Sequence, residues 1–419
     1  LVRKKLLNAY HDRSDGGLIT TLIEIGFASN MSVDLKNIIK KSKTELIKFL
    51  FNEELGGVFA IDKRNEKQFS KLVRKYNLDT ITHKIGVISN EDMPKLKIGS
   101  CNYSESLSVL RKYWSELSYL IQTKRDNKKT ALSEYKAKIK CHQSNHESLT
   151  PKVYFKLSNV RKKYLNKKNK PKIAVFREQG VNGHKEMANA FNLASFDCYD
   201  INTNDIISNP GLLDEYHGLV ACGGFSYGDV LGAGRGWANK IIYNDDALNS
   251  LSKFFSDKNK FSLGICNGCQ MLSNLKSIIP GSDHWPEFVQ NNSNQFEARQ
   301  VLVKIPKSNS ILFKDMDKSI LPIIVSHGEG KISIKNRNMI KKATMQYVDM
   351  KGKHTNEYPY NPNGSLDGIA GFCNNDGRIN IMMPHPERLP HINNFSWAPE
   401  EWKISPWLKL FNNAREWVN

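Results

Sequence analysis

The apolar run Phe261-Ser262-Leu263 leads straight into Gly264-Ile265-Cys266-Asn267-Gly268, after which Gln270, Met271 and Leu272 take up helical spacing. A buried strand that hands over so abruptly to a helix must pass through a tight elbow, and glycine on both sides leaves room for the backbone. Continuous apolar strands of this kind, alternating with helices, belong to parallel sheets covered on both faces. The elbow therefore predicts an α/β fold and places Cys266 at a helix N-terminus, whose dipole favours an anion.

A nucleophilic thiol needs a base, and one stands 385 − 266 = 119 residues downstream. Ile381-Met382-Met383 reads as a short buried strand running into Pro384-His385-Pro386-Glu387-Arg388. The two prolines stiffen the loop and keep His385 and Glu387 on one side. A carboxylate beside an imidazole orients it and stabilises its charged form, which completes a nucleophile, base and orienter set.

The same texture begins at Lys172. Ile173-Ala174-Val175-Phe176 is a continuous apolar strand, followed by a glycine loop and a helix through Met187, Ala190 and Leu193. Gly218-Leu219-Val220-Ala221-Cys222 is another such strand and ends in Gly223-Gly224. The fold class expected for 172–419 is a doubly wound, mostly parallel α/β sheet, with its sites at the carboxyl ends of the strands. Glycines 223, 224, 228, 232, 234 and 236 fit neither the dinucleotide fingerprint nor the P-loop spacing, so the turn reads as an oxyanion cradle. Backbone N–H groups of Asn267 and of Gly223-Gly224-Phe225 are the expected donors, and Gln270, one helical turn on, is a candidate reader of the substrate's polar end.

Residues 1–150 read as a partial α+β domain. A helix is predicted over 18–28, a strand over 56–61, a helix over 67–76, and a long helix with Leu110, Trp114, Leu117 and Ile121 on one stripe. Lysine-rich sequence from about 123 to 150 reads as exposed helix or loop, and 151–171, basic and closed by Pro171, as a linker. The loop His11-Asp12-Arg13-Ser14-Asp15-Gly16-Gly17 precedes the first helix; Asp12 and Asp15 are hard oxygen ligands suited to magnesium, and Ser14 and the glycine backbone suit phosphate oxygens.

Composition narrows the function classes. No apolar stretch reaches membrane-span length and the start has no signal-peptide core, so a cytoplasmic protein is expected. The net charge of +19 is spread along the chain without a nucleic-acid-binding motif, so neither nucleic acid nor membrane is an expected partner. Seven cysteines lack framework spacing, and Cys266-x-x-Cys269 has no second pair to complete a zinc site.

The motifs Gly264-Ile265-Cys266-Asn267-Gly268-Cys269-Gln270 and Pro384-His385-Pro386-Glu387 resemble those of class I glutamine amidotransferases. Phe176-Arg177-Glu178-Gln179-Gly180-Val181-Asn182-Gly183-His184, the segment Ala221 to Gly234, and Ser326-His327-Gly328-Glu329-Gly330 narrow the resemblance to the glutaminase domain of the large, single-chain phosphoribosylformylglycinamidine synthases. The likeness runs from about Tyr10 to the end. It implies that Cys266, His385 and Glu387 release ammonia from L-glutamine without a cofactor. It further implies that the ammonia serves ATP- and Mg²⁺-dependent amidation of formylglycinamide ribonucleotide in purine synthesis.

By the same resemblance residues 1–150 correspond to the C-terminal part of an aminoimidazole ribonucleotide synthetase-like domain, with Asp12 on magnesium and Ser14 on a nucleotide phosphate. Most of the ATP- and ribonucleotide-binding parts are then expected on a complementary N-terminal synthetase segment. Ser326 to Gly330 would line the path of glutamine or ammonia, with a structural role for His327 as the alternative. Arg235 departs from the family, which usually carries an acidic residue there. A cysteine peptidase or chaperone-like relative, and a non-enzymatic subunit that only binds a synthetase, are the competing readings.

Overall fold

The computed structural model describes residues 1–38, 42–143, 150–157, 164, 169–333 and 342–418. The chain forms two compact units, Leu1–His146 and Glu147–Asn419. Among the described residues no helix is long and apolar enough to cross a membrane.

The first unit has strands β1 (Leu7–Asp12), β2 (Ser32–Asp34), β3 (Gly57–Ile61), β4 (Val87–Ser89), β5 (Lys95–Ile98) and β6 (Tyr103–Ser106). Its helices are α1 (Gly17–Ser29), α2 (Lys43–Phe51), α3 (Glu66–Lys75), α4 (Leu107–Arg125) and α5 (Lys128–Lys140). β1 pairs antiparallel with β3, and the other strands form a sheet in the order β4-β2-β5-β6. Leu18 and Leu22 of α1 and Leu46 and Leu50 of α2 bury their apolar faces with Val33, Leu35, Leu96 and Ile98. Gly17, at φ 73°, lets the chain enter α1 hard against the Phe51 backbone, which an added Cβ would approach to 2.6 Å.

The helix expected to carry Leu110, Trp114, Leu117 and Ile121 is α4, but most of that stripe is not core. Trp114, Leu117 and Ile121 are about half exposed or more, while Leu107 and Ser115 are buried. Trp114 sits edge-on to Phe27 and donates to Glu24, and Tyr119 stacks on Tyr135 of α5 at 4.4 Å. The Asn127 side chain caps α5 by accepting from Lys129 and Thr130 N–H groups.

The second unit is built on a sheet of β7 (Lys172–Arg177), β8 (Asp197–Asn202), β9 (Gly218–Ala221), β10 (Phe261–Ile265), β12 (Glu297–Lys304), β13 (Ile320–His327), β15 (Ala343–Val348), β16 (Ile369–Cys373) and β17 (Ile379–Met382). Two further short strands, β11 (Glu287–Val289) and β14 (Lys331–Ser333), pair with each other. The helices are α6 (His184–Leu193), α7 (Thr203–Ser208), α8 (Arg235–Ile242), α9 (Asp245–Ser256), α10 (Asn267–Asn274) and α11 (Leu408–Trp417). β8-β7-β9-β10-β17 run parallel, as the sequence predicts.

Beyond β17 the sheet continues as an antiparallel wing, β16-β15-β12-β13. This wing has no counterpart in the expected strand set. β13 contains Pro322, which demotes a run from strand status in a sequence reading and is tolerated here because β13 is an edge strand. His385, just after β17, donates its N–H to Ile324 of β13 at 2.8 Å, so the wing curls back to the head of the parallel half.

Of the expected linker 151–171, residues 158–163 and 165–168 lie outside the described residues. Lys152 exchanges backbone hydrogen bonds with Ile320, and Val153, Phe155 and Leu157 lean on the core of the second unit.

Arg378, buried at the start of β17, gathers the carbonyls that end α9. Its guanidinium donates to Asp257 O and Lys260 O at 2.6 Å each and to Phe255 O at 3.2 Å, while Nε meets Asp376 at 2.9 Å. A cation here complements the helix C-terminus and ties the approach to β10 to β17. Replacing it by methionine strands these buried carbonyls. Arg378→Met should lower the stability of the second unit by about 3 kcal/mol, read from its urea transition; an unchanged midpoint would refute this role.

Candidate active site

β10 is buried along its whole length and lies between β9 and β17, so its last residue is delivered to the carboxyl edge of the sheet. Cys266 occupies the elbow with φ 52° and ψ −108°, a conformation costly for any residue with a side chain. Its N–H donates to Met382 O at 3.0 Å, which ties the elbow to the end of β17. Gly268 begins α10 so close to β9 that an added Cβ would stand 2.2 Å from Ala221 O, and its N–H donates to Cys222 O at 3.0 Å. The glycines thus let α10 descend onto the neighbouring strand, and this close descent forces the turn at Cys266.

His385 and Glu387 are 1% exposed each, and their side chains meet at 2.6 Å between Nδ1 and Oε1. With Nδ1 so engaged, Nε2 is the nitrogen left for chemistry. The Cys266 thiol is directed to Ser326 O at 3.5 Å, while a Cβ at Gly223 would sit 2.7 Å from His385 Cε1 and 3.3 Å from Cys266 Cβ. Gly223 therefore lies against both the imidazole and the Cys266 side chain, where no larger residue fits.

Burial opposes a charge on His385, but the Glu387 carboxylate and the Cys266 sulfur outweigh it and raise the imidazole from 6.5 to about 9. Because the folded value is raised, the stabilisation from this pairing is complete below pH 6.5 and fades as pH climbs through about 9.

Two backbone donors remain open beside the thiol. Among the described residues, neither the Asn267 N–H nor the Gly224 N–H has an acceptor. Gly224, at φ 151°, lies where a Cβ would be 2.5 Å from Val181 Cα. Phe225 does not supply a donor: its N–H is committed to Gly180 O at 2.9 Å, and its half-exposed ring packs on Phe296. The sequence could not separate Gly224 from Phe225, because the bridge between Val181 and Gly224 decides which N–H is free.

Gln270 is buried with both ends of its amide engaged, so reading the substrate is not the role the structure gives it. Nε2 donates to Glu329 O at 2.6 Å, and Oε1 accepts from Asn267 Nδ2 at 3.0 Å. It ties α10 to the 326–330 turn. Asn267 extends the same lattice, accepting from Ser226 N–H at 3.1 Å and donating to Asp229 at 2.9 Å. That holds a turn in which Tyr227 and Asp229 both carry positive φ. Burial raises the Asp229 carboxyl above its usual range, with the Asn267 hydrogen bond opposing.

Asn291 was invisible in the sequence, yet its side chain donates to His327 O at 2.8 Å and accepts from Gly330 N–H at 2.9 Å, clamping the 326–330 turn. Only its place in the asparagine-rich run 291–294 hints at such a turn-holding role. Arg235 pairs with Glu287 at 3.5 Å, both side chains half exposed.

The amino-terminal loop does not assemble a magnesium and phosphate site from its own residues. Tyr10 donates to the Asp12 carboxylate, and the Gly16 N–H donates to Glu53 Oε1 at 2.9 Å, a carboxylate where a phosphate oxygen would have to enter. Asp12, Ser14 and Asp15 are exposed, and among the described residues no group of three or more His, Cys, Asp or Glu could hold a metal ion.

A cysteine at a strained strand-to-helix elbow, a buried His-Glu pair beside it and open backbone N–H groups are brought together at the carboxyl edge of an α/β sheet, an arrangement chemically suited to acyl transfer. Residues 170–418 match the CobB/CobQ-like glutamine amidotransferase domain, and the chain belongs to that family. Residues 1–99 match the C-terminal domain of AIR synthase related proteins.

Solved structures to which the chain is similar include PurLQS from Thermotoga maritima, 23% identical over 60% of this chain and 100% of that one, with a TM-score of 0.47. A protein from Thermoplasma acidophilum assigned as a GMP synthase subunit is 16% identical over 60% and 94%, with a TM-score of 0.36. A glutamine amidotransferase from Thermotoga maritima is 16% identical over 52% and 77%, with a TM-score of 0.31.

Two outcomes follow from the geometry. Gly223→Ala should displace the imidazole and reduce turnover by about 100-fold while the unfolding midpoint stays near that of the parent. Glu387→Gln removes the charge that raises His385, so the alkaline limb of the activity profile should move from about pH 9 towards lower pH. A limb that stays in place would show that Glu387 does not set it.

Proposed function

We propose that this chain is the glutamine-hydrolysing part of a phosphoribosylformylglycinamidine synthase, with Cys266, His385 and Glu387 as its catalytic set. The observation that carries the chemistry is the buried 2.6 Å His385–Glu387 pair beside a cysteine on a strained elbow. With the proton already resident on His385 Nε2, where the Glu387 carboxylate and the sulfur hold the imidazole charged, Cys266 Sγ attacks the side-chain amide carbon of glutamine. The developing oxyanion is held by the Asn267 and Gly224 N–H groups. As the C–N bond breaks, His385 delivers its proton to the departing nitrogen, and ammonia leaves with a glutamyl thioester behind. Water, deprotonated by His385, then frees glutamate and restores the thiol. Glu387 fixes the imidazole so that Nε2 serves both steps.

The AIR synthase-related match at residues 1–99 supports a destination for the ammonia. A glutamine amidotransferase domain and an AIR synthase-related domain in one chain fit ATP-dependent amidation of formylglycinamide ribonucleotide in purine synthesis. Magnesium, nucleotide and ribonucleotide binding are assigned to synthetase residues beyond the Asp12–Gly17 loop, with Asp12 and Ser14 contributing once a complementary synthetase segment is in place.

Incubation with 6-diazo-5-oxo-norleucine should label Cys266 alone by mass spectrometry, and Cys266→Ala should abolish ammonia release from glutamine. Labelling at another residue, casein cleavage by the parent, or undiminished ammonia release by the variant would overturn this reading.

A further inference from the structure

We propose that His327 contacts the reacting nitrogen: its ring accepts a hydrogen bond from the side-chain amide of bound glutamine and then from the ammonia that amide becomes. The proposal rests on the glutaminase reading and adds a residue to it.

His327 ends β13 with its ring 2% exposed, and neither ring nitrogen has a hydrogen-bond partner among the described residues. A buried imidazole with both nitrogens idle is costly, because it has given up water for nothing. The surrounding chain nevertheless holds the ring firmly. Its backbone carbonyl is clamped by Asn291, and Gly330 folds over it so closely that an added Cβ would lie within 2.7 Å of Cε1, Nδ1 and Nε2. A ring gripped this tightly with its polar atoms idle is poised for a guest.

Its position says which guest. The preceding residue, Ser326, is the one whose carbonyl lies 3.5 Å from Cys266 Sγ, and Ile324 on the same strand accepts the His385 N–H. His385 is near enough for its charge to act on the His327 ring. Burial, with the ring's own backbone opposing and His385 reinforcing, brings His327 down to about 4. The ring therefore stays neutral at working pH, with one nitrogen a donor and the other an acceptor. The two imidazoles divide the labour: His385 carries the proton that expels the nitrogen, and His327 accepts a hydrogen bond from that nitrogen without protonating it. Ammonia held this way remains a nucleophile, whereas ammonium does not.

The test compares an amide with an ester. His327→Ala should lower kcat/KM for glutamine hydrolysis by about 10- to 100-fold, yet leave hydrolysis of glutamate γ-methyl ester unchanged, since the ester has no N–H to donate. Labelling of Cys266 by 6-diazo-5-oxo-norleucine should proceed at the parental rate, and His327→Asn, which keeps an acceptor, should recover part of the amide activity. Equal losses on amide and ester, slowed labelling, or no loss on either substrate would overturn the assignment. Glutamine turnover that survives Cys266→Ala would instead refute the glutaminase reading beneath it.

Discussion

The close approach of α10 to β9 is the constraint on which the second unit depends. Gly268 allows the helix to settle on Ala221 and Cys222, and with the strand behind it buried, the chain can reach that position only through the strained turn at Cys266. The strain is held by bonds on every side: Cys266 N–H to β17, Gly268 N–H to the end of β9, and the Asn267 side chain to the 226–229 turn. Among the described residues the Asn267 N–H is left without an acceptor. A single packing decision thus presents the thiol, orients the helix terminus and leaves a backbone donor open beside it.

Around that elbow, polar groups are buried in two different ways. One set is saturated: Asn267, Gln270, Asn291 and the backbone of 326–330 exchange hydrogen bonds and define the walls. The other set is left wanting: His385 Nε2, Glu387 Oε2 and both nitrogens of His327 have no partner among the described residues. Saturated groups rigidify the walls, and the unsatisfied ones beside Cys266 are left able to meet substrate or water. The separation of the two imidazoles in basicity follows from their neighbours. His385 has the Glu387 carboxylate and His327 has none at its ring, so equal burial leaves one raised and the other lowered.

The antiparallel wing is what joins these sets. β12, β13, β15 and β16 extend the parallel half and return Ile324 to His385 and Ser326 to Cys266. The first unit, by contrast, keeps its phosphate-like loop occupied by its own Glu53 carboxylate, and its α4 stripe lies largely in solvent.

Much of this was legible in the amino-acid order alone. The elbow at Cys266, the His385-Pro386-Glu387 loop and the parallel strands are local patterns: glycine where a Cβ cannot fit, unbroken apolar runs where both sheet faces are covered. What the sequence could not determine depends on contacts between distant segments. Which N–H of the Gly223-Gly224-Phe225 turn stays open is settled by Gly180 and Val181, Gln270 is claimed by Glu329, and His327 acquires its setting from Asn291, Gly330 and His385. A side chain's type limits what it can do, but whether its polar atoms are free is a property of its neighbours, and only the folded chain brings those neighbours together.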